Sequence, residues 1–254
     1  MFMPIVQGGQ SVVSALTLDI TSNTSDVNIL TLATAAGYNA STDTTAIIVN
    51  VASGVAITAT SGNPAMRTGA LNAASNLTIN IASSATVCGF DGAQGSTPAQ
   101  STGNAGGAGG NGTDAILFEI TSGTGTYEVV NDGTHVGGGS GGGGGGGAGG
   151  HAGARTTLSC DDKGGCSCGH PNQYGSHGAQ GSAGSNGASC RAQNGSAGTA
   201  GGNGSYPGGN SCPIAVTATN GGAGGAGGTA GKAVNKGGLT VTTSGSGTYY
   251  GATS

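Results

Sequence analysis

The sequence is poor in charge and in large aromatic side chains. Charged residues make up 6 % of the 254 positions, there is no Trp, and there are only three Phe. Six Lys and Arg against ten Asp and Glu cannot build the cationic surface with which a nucleic-acid-binding protein displaces counterions. No run of about 20 apolar residues is present to cross a membrane. These shortages exclude nucleic-acid binders and membrane-spanning proteins.

Glycine is what the chain has in excess, with 58 residues, where about 7 % would be usual. The C-terminal two-thirds holds too few large apolar side chains for an ordinary core to offset chain entropy. Such a composition is typical of disorder. The regular spacing of the glycines and the low charge argue against disorder here. The N-terminus, from Met1 to Ile5, lacks the basic and apolar regions of a signal peptide, so we expect any export to use another route, of which release of an assembled particle by cell lysis is one.

Residues 1–88 are predicted to form a β-rich region for attachment or oligomerisation. Leu77, Ile79 and Ile81 alternate with polar or small residues, which is the pattern of a strand with one buried face. The segment from Ile29 to Ala36 is compatible with a short helix. Turn-forming residues separate the predicted strands, which are Thr17–Ile20, Val27–Leu32, Ala46–Val51, Val55–Thr60 and Asn76–Ile81.

From residue 89 onward, glycine recurs at every third position in six tracts. Three residues per turn is the period of the polyproline II helix, which forms no hydrogen bonds within itself. Its backbone groups need partners on neighbouring chains, and glycine at every third position leaves one edge without side chains. The tracts, one to six, are residues 89–95, 103–112, 137–153, 175–187, 195–204 and 221–231.

The fold class predicted from these patterns is a mainly β N-terminal region followed by a polyglycine II helical sandwich of about six tracts, with almost no α-helix. Because the phase is interrupted and only six prolines are present, a collagen triple helix does not fit. The sandwich is expected over 89–237, with a strand insertion at 113–136. Residues 238–254 are predicted to form a C-terminal hairpin, and residues 115–130 another, both pairing with the β region.

Up-and-down threading of the tracts predicts which connections share one end. Tracts one, three and five run away from the β region, and tracts two, four and six return. The far end then carries three connections, whereas 188–194 turns at the near end. These far-end loops are Ser96–Thr102, Ala154–Tyr174 and Ser205–Asn220.

The order of a strand, an Asn-x-Gly turn and a long polyglycine tract resembles a known family. It is carried by Leu77–Asn80 leading into Gly89, by Ala105–Gly112, and by Val130–Val136 followed by Gly137–Gly150. These segments resemble the glycine-rich receptor-recognition adhesins at the tips of phage long tail fibres of the T-even type, over about residues 70–254. The resemblance implies a virion protein whose rigid sandwich presents variable loops to a bacterial surface receptor, either protein or glycan.

That resemblance assigns host contact to the far-end loops and implies other tail fibre proteins as partners, with a homotrimer as one assembly.

No catalytic set is recognised in the sequence, and neither an enzyme activity nor a cofactor is expected. The loops hold fewer aromatic residues than those of T-even adhesins. The candidate receptor-binding residues are Ser96, Thr97, Gln100, Arg155, Asp161, Asp162, Lys163, Asn172, Tyr174, Tyr206 and Asn210.

The six cysteines are predicted to form disulfides, as in proteins exposed to oxidising surroundings. The threading brings Cys88 and Cys190 to the near end and predicts that they pair. Cys160, Cys166, Cys168 and Cys212 fall at the far end, where Cys212 is expected to bond a cysteine of the 154–174 loop. The alternative is a metal site formed by Cys166, Cys168 and His170, although this spacing is not a standard one.

Two other functions fit parts of the sequence. Bundled polyglycine helices with a flat face of Ala, Ser and Thr also occur in some ice-binding proteins, and tracts four and five carry such residues. A passive structural fibre is the other alternative. The strand-rich N-terminal third and the long polar loops favour the adhesin.

Overall fold

A computed structural model describes residues 15–100, 102–120, 122–152, 154–160, 166–174, 176–205 and 214–254, with the backbone alone for 154–160, 166–174 and 214–216. The elements in chain order are β1 (Leu16–Ile20), β2 (Thr24–Ser25), β3 (Val27–Asn28), α1 (Ile29–Ala35), β4 (Ile47–Val51), β5 (Ala56–Thr58), β6 (Met66–Arg67), β7 (Leu77–Ile81), β8 (Thr86–Cys88), β9 (Ile116–Leu117), β10 (Tyr127–Asn131), β11 (His135–Gly137), β12 (Ala154–Cys160), β13 (Cys166–Tyr174), β14 (Ile214–Val216), β15 (Val234–Asn235), β16 (Val241–Ser244) and β17 (Thr248–Tyr250). The predicted mainly β class with almost no helix is confirmed.

Most strands form a β-solenoid, in which the chain coils around a core. Each of the first four coils adds one strand to each of three parallel sheets, and the last coil adds β16 and β17 to two of them. The sheets have the strand orders β1-β4-β7-β10-β16, β2-β5-β8-β11-β17 and β3-β6-β9-β15. A strand therefore pairs with the strand one coil earlier and one coil later. The short second and third strands of each coil leave room for connections that leave the solenoid and return to it.

The solenoid core consists of in-register apolar ladders. Leu77 pairs with Ile47 on one side and with Tyr127 on the other, and Tyr127 pairs with Val241. In-register pairing places these four side chains on the same face of the sheet, and all four are buried. Each fully buried aliphatic side chain contributes about 1.5–3 kcal/mol. The Phe118 ring meets the Tyr127 ring edge-on at 6.1 Å inside this core.

The strand predicted for Val27–Leu32 is wrong beyond Asn28, because Ile29–Ala35 form a helix, α1. The short helix with which the segment 29–36 is compatible is thereby confirmed. It begins after Asn28, whose side-chain Oδ1 accepts a hydrogen bond from Thr31 N–H at 3.3 Å, the usual role of an N-cap asparagine. Ile29 and Ala33 lie on its buried face. The chain leaves the helix through Gly37, whose φ of 95° favours glycine. The helix therefore packs with this face against one side of the first coil.

The two predicted hairpins are wrong. Strands β9 and β10 belong to different sheets, as do β16 and β17. Each pairs in parallel with neighbouring coils, for example β16 with β10 and β17 with β11. The turns at Ser122–Gly125 and Ser244–Gly247 carry the chain from one sheet to the next around the core and do not reverse it within a sheet. The 115–130 segment pairs with the N-terminal β region, as predicted, through β9 with β6 and β10 with β7. The same prediction for 238–254 is wrong, because β16 and β17 pair with β10 and β11 instead.

The glycine tracts are two excursions from one corner of the solenoid. The first leaves after β8 and returns at β9, and the second leaves after β11 and returns at β15. Apart from Gly137, which ends β11, the described residues of tracts one to six contain neither helix nor strand. The register of their hydrogen bonds with tract three makes tracts one and five parallel to it and tracts two, four and six antiparallel, which is the up-and-down threading that the sequence predicts.

Tract three lies at the centre of the six, and its residues from Gly138 to Gly150 are all buried. Backbone hydrogen bonds connect it to each of the other five. At its midpoint, Gly144 donates to Ser196 of tract five and Gly145 donates to Gly107 of tract two. Carbonyls of the same tract accept from tracts one, four and six: Gly143 from Gly95, Gly144 from Gly184 and Gly145 from Gly225.

Side chains of residues between the glycines of the outer tracts accept hydrogen bonds from backbone N–H groups of neighbouring tracts. Asn111 Oδ1 accepts from Thr229 N–H at 3.0 Å, and Thr199 Oγ1 accepts from Ser182 N–H at 2.6 Å. A backbone N–H group enclosed between two tracts needs a hydrogen-bond acceptor, which these side-chain oxygens provide. The abundance of Asn, Ser and Thr between the glycines is therefore a structural requirement of the tracts.

Among the described residues, no tract adjoins the sixth side of tract three, which lies between tracts one and four. The N–H of Ser140 donates to Asp91 Oδ1 and that of Gly143 donates to Asn186 Oδ1, each at 2.7 Å. Gln94, from tract one, crosses the same gap and donates through Nε2 to Gly184 O at 3.0 Å. Polar side chains close this side in place of a seventh tract.

Candidate functional site

The far-end loops come together at the end of the tracts opposite the solenoid. Strands β12 and β13 form an antiparallel hairpin after tract three, and β14, which lies between tracts five and six, pairs with β12. Two of the three loops therefore share one sheet, of order β13-β12-β14. The third loop, 96–102, touches tract four, where Gln180 Nε2 donates to Pro98 O at 2.7 Å.

The base of this sheet is fixed by side-chain hydrogen bonds. His151 N–H donates to Thr219 Oγ1 at 2.7 Å, and Thr219 N–H donates to His151 O at 3.1 Å. Ala152 N–H donates to His177 Nδ1 at 3.0 Å, which places the proton of the neutral His177 ring on Nε2. The His151 and His177 rings meet edge-on with centroids 5.0 Å apart. The chain is thus held where it leaves tract three and enters tracts four and six.

The structure describes some of the predicted receptor-binding residues. Ser96, Thr97 and Gln100 are exposed on the 96–102 turn. Arg155 lies on β12 opposite Gln173 of β13, and Tyr174 of β13 lies opposite Ala154. Asn172 is on β13 as well. The remaining predicted residues, Asp161, Asp162, Lys163, Tyr206 and Asn210, lie outside the described residues.

The far-end cysteines are described by backbone only. Cys160 pairs in register with Cys166, and Leu158 pairs with Cys168. Cys166, Cys168 and His170, the alternative metal ligands, all lie on β13, and their side chains are outside the description. Cys212, predicted to bond a cysteine of the 154–174 loop, also lies outside the described residues. Both predictions for this loop stay predictions.

At the near end, the predicted disulfide between Cys88 and Cys190 is confirmed. It joins β8 of the solenoid to the turn between tracts four and five. Arg191 in that turn also binds the solenoid: its guanidinium lies 4.6 Å from the Tyr250 ring centroid, and Nη1 donates to the Tyr250 hydroxyl at 2.8 Å. The two contacts hold the 188–194 turn against β17 and β8.

His135 of β11 lies beside this disulfide, a neighbour that sequence reasoning missed. Its Nε2 is 3.7 Å from Cys88 Sγ, and its ring meets the Tyr250 ring edge-on at 5.7 Å. Burial, with a smaller effect of the Arg191 charge, lowers the pKa of His135 below its usual value. Cys88 and His135 are 47 positions apart, so their proximity can be inferred only once the parallel pairing of β8 and β11 is known.

The other end of the solenoid is open. Strands β1, β2 and β3 lie at the end of their sheets, so in the described residues one edge of each carries no paired strand. A cleft of about 490 Å³ borders this coil and is lined mainly by polar residues, six of them Ser, Thr or Asn, together with Asp19, Asp26 and Arg67. Hydrogen bonds from Thr60 lower the pKa of Asp26, which keeps that carboxylate charged.

No helix in the described part of the chain has the length and apolar character to cross a membrane.

A family model described as phage tail fibre adhesin Gp38 matches residues 15–254. No curated protein matches the sequence significantly. Among solved structures, the chain is similar to one from the gp37–gp38 adhesin tip complex of the bacteriophage S16 long tail fibre, with 16 % identity, a TM-score of 0.40, and coverage of 91 % of this chain and 78 % of that one.

Proposed function

The chain belongs to the phage tail fibre adhesin Gp38 family, and on that premise we propose that its far-end loops bind a molecule on the bacterial surface and so initiate attachment. Membership places the protein on the tail fibre of a virion and gives it a binding role in a family of adhesins, not of enzymes. The observation that carries the proposal is the shared sheet β13-β12-β14, which assembles two separate loops into one surface at the end remote from the solenoid.

We further propose that the six tracts form a polyglycine II sandwich that serves as a stiff support. The support for this is the set of backbone hydrogen bonds that recur at every third residue and connect tract three to all five other tracts. A chain with three residues per turn directs its N–H groups toward three neighbours in succession, which is what Gly143, Gly144 and Gly145 do. Such cross-linking leaves little freedom for bending.

A stiff support matters for recognition because it lowers the ordering cost of binding. Loops whose bases are already fixed, as at His151 and Thr219, lose less conformational entropy when a receptor binds. Several copies on one virion would add avidity. With few aromatic residues in these loops, we expect Arg155, Tyr174 and Tyr206 to provide the main contacts.

The open end of the solenoid is the proposed attachment point to the rest of the fibre. Unpaired strand edges favour pairing with another β structure, and β1, β2 and β3 present three such edges around one core. The similar S16 structure is a complex of two tail fibre proteins, gp37 and gp38. We therefore propose another tail fibre protein as the partner of this face, and native mass measurement distinguishes that complex from a homotrimer of this chain.

Competition for host cells tests the receptor proposal. Purified protein should reduce phage adsorption, and Arg155→Ala should weaken this competition by about tenfold or more, as truncation of an anchor residue does. Lys236→Ala removes one positive charge beside the solenoid instead and should compete as the unaltered protein does. Equal competition by both variants, with both folded, would contradict the assignment of the binding surface to the far-end loops.

A further inference from the structure

Three potential metal ligands meet at the junction between the solenoid and the tracts. Cys88 Sγ, Cys190 Sγ and His135 Nε2 all lie within 4.8 Å of one another. Cys88 and His135 are half-buried, and Cys190 is buried. In the structure the two sulfur atoms are bonded to each other. The arrangement raises the question of what these groups do when the disulfide is reduced.

The ligand spacing matches tetrahedral zinc. With Zn–S bonds of about 2.3 Å and Zn–N bonds of about 2.0 Å, a sulfur and a nitrogen on one zinc ion are about 3.6 Å apart. Cys88 Sγ and His135 Nε2 are 3.7 Å apart. Only the second sulfur has to move, since two sulfurs on one zinc ion are about 3.8 Å apart.

The backbone already fixes these side chains on one face. In the pairing of β8 with β11, Cys88 lies opposite Gly137 and His135 lies opposite Thr86. Cys88 and His135 are therefore two positions apart along adjacent parallel strands and point to the same side. Cys190 reaches this side from the 188–194 turn, which is bonded to tract three through Ala192 N–H and Gly138 O.

The compartment in which the chain folds makes the reduced state relevant. A phage tail fibre adhesin is synthesised inside a bacterium, and the bacterial cytosol keeps thiols reduced. Cys88 and Cys190 are then thiols while the solenoid and the tracts assemble. We propose that the reduced chain binds one zinc ion through Cys88, Cys190 and His135, with water as the fourth ligand, and that oxidation after cell lysis replaces the ion with the disulfide.

Water can reach the fourth position from the side of Cys88 and His135, neither of which is fully buried. Two thiolates and one imidazole are a donor set that suits zinc. The metal would hold the 188–194 turn against β8 and β11 before a disulfide can form. The same junction is then cross-linked in both compartments, first by the metal and then by the covalent bond.

The exchange balances with a small-molecule disulfide as oxidant. The Cys88 and Cys190 thiolates give up two electrons and form one S–S bond, and zinc leaves as the divalent cation. The S–S bond of the oxidant breaks and takes up the two electrons, which yields two thiolates. Treatment with a phosphine and water reverses the protein step: the S–S bond is cleaved, two thiols form, and the phosphine becomes its oxide.

Cobalt binding by the reduced protein tests the proposal. In a chain whose other four cysteines, Cys160, Cys166, Cys168 and Cys212, are replaced by Ser, phosphine reduction should allow binding of a single Co²⁺, with thiolate-to-cobalt charge-transfer absorption. Zinc should displace the cobalt and raise the thermal midpoint of the reduced protein. The oxidised protein should show neither effect.

His135→Ala in the same background should weaken Co²⁺ binding by at least about tenfold, while the oxidised variant still forms the Cys88–Cys190 disulfide. His151→Ala is the matched control and should bind Co²⁺ unchanged. Equal Co²⁺ affinity in the reduced and oxidised protein, or no loss in His135→Ala, overturns the proposal.

If the protein with four Ser replacements does not fold, the reduced natural sequence is compared with its Cys88→Ser/Cys190→Ser variant. The natural sequence should bind one more Co²⁺ per chain, and equal stoichiometry overturns the site. Because no receptor enters these measurements, their outcome is independent of the adhesin function.

Discussion

Gly142 and Gly110 are joined by a backbone hydrogen bond of 2.8 Å, from Gly142 N–H to Gly110 O, between antiparallel tracts three and two. The carbonyl of Gly142 accepts in turn from Gly228 of tract six at 2.7 Å. A Cβ on Gly142 would lie 2.0 Å from the Ala93 carbonyl oxygen of tract one. One residue therefore contacts three tracts, and only glycine allows them to approach.

Gly142→Ala should destabilise the protein by about 3 kcal/mol or more, because the clash is with backbone and a tract must move to relieve it. Gly202→Ala is the control, since its Cβ would meet nothing nearer than Ala179 N at 3.1 Å. It should change the free energy of unfolding by about 1 kcal/mol or less. Chemical denaturation of both variants measures the difference, and equal stabilities would contradict the close packing of tract three.

Asn131→Ala should cost about 2–3 kcal/mol, because it leaves buried backbone groups without partners. Asn131 is fully buried, its Oδ1 accepts from Gly133 N–H at 3.0 Å, and its Nδ2 donates to Thr248 O at 3.1 Å. In Asn80→Ala the lost bond, Nδ2 to Asn50 Oδ1, lies on the outer face of the solenoid. This control should lose about 1 kcal/mol or less, as measured by denaturant unfolding.

Asn111→Ala tests the role of the polar side chains between the glycines. Loss of the Oδ1 acceptor leaves Thr229 N–H without its partner and should lower the free energy of unfolding by about 1 kcal/mol. Asn111→Asp keeps an acceptor oxygen in place and should recover most of this loss. If Ala and Asp are equally destabilising, the hydrogen bond to Thr229 is not what Asn111 contributes.

Tyr249 makes stability fall at alkaline pH. Burial and the nearby Asp132 charge raise the pKa of Tyr249 to about 12, against about 10 in an unfolded chain. Between these values the folded state binds more protons than the unfolded state, so stability decreases as pH rises from about 10 to about 12. Thermal midpoints across this range should fall less steeply in Tyr249→Phe, and an identical pH slope in both proteins would contradict the assignment.

Much of the tract organisation could be predicted from the sequence because glycine spacing reports local geometry directly. The glycine phase delimits the six tracts, and their up-and-down threading gives their directions and the pairing of Cys88 with Cys190. Helix α1 was also predictable, from Asn28 and the apolar spacing at Ile29 and Ala33. These features depend on residues near in sequence or on one strict period.

The parallel solenoid could not be predicted in the same way. Alternation at Leu77, Ile79 and Ile81 indicates one buried face but not the direction of the partner strand. The pairing of Tyr127 with Val241 spans the whole second excursion, and no local signal specifies it. The turn residues at Ser122–Gly125 and Ser244–Gly247 fit a hairpin as well as a solenoid corner, which is why the hairpin predictions failed.

For the site, the sequence predicted which loops share the far end but not their common sheet, because the bond between β12 and β14 joins residues about 60 positions apart. The position of His135 beside Cys88 was missed for the same reason. Side chains such as Thr219, which fix the base of the loops, carry no distinctive pattern in a sequence rich in Ser, Thr and Asn.

Amide hydrogen exchange of tract three tests the central claim most directly, since every proposal about the loops requires a stiff support beneath them. The amides from Gly141 to Gly150 that donate to tracts two and five should exchange as slowly as those of strand β7 in the solenoid core. Exchange of these glycines at the rate of an unstructured peptide, with β7 still protected, would contradict the account.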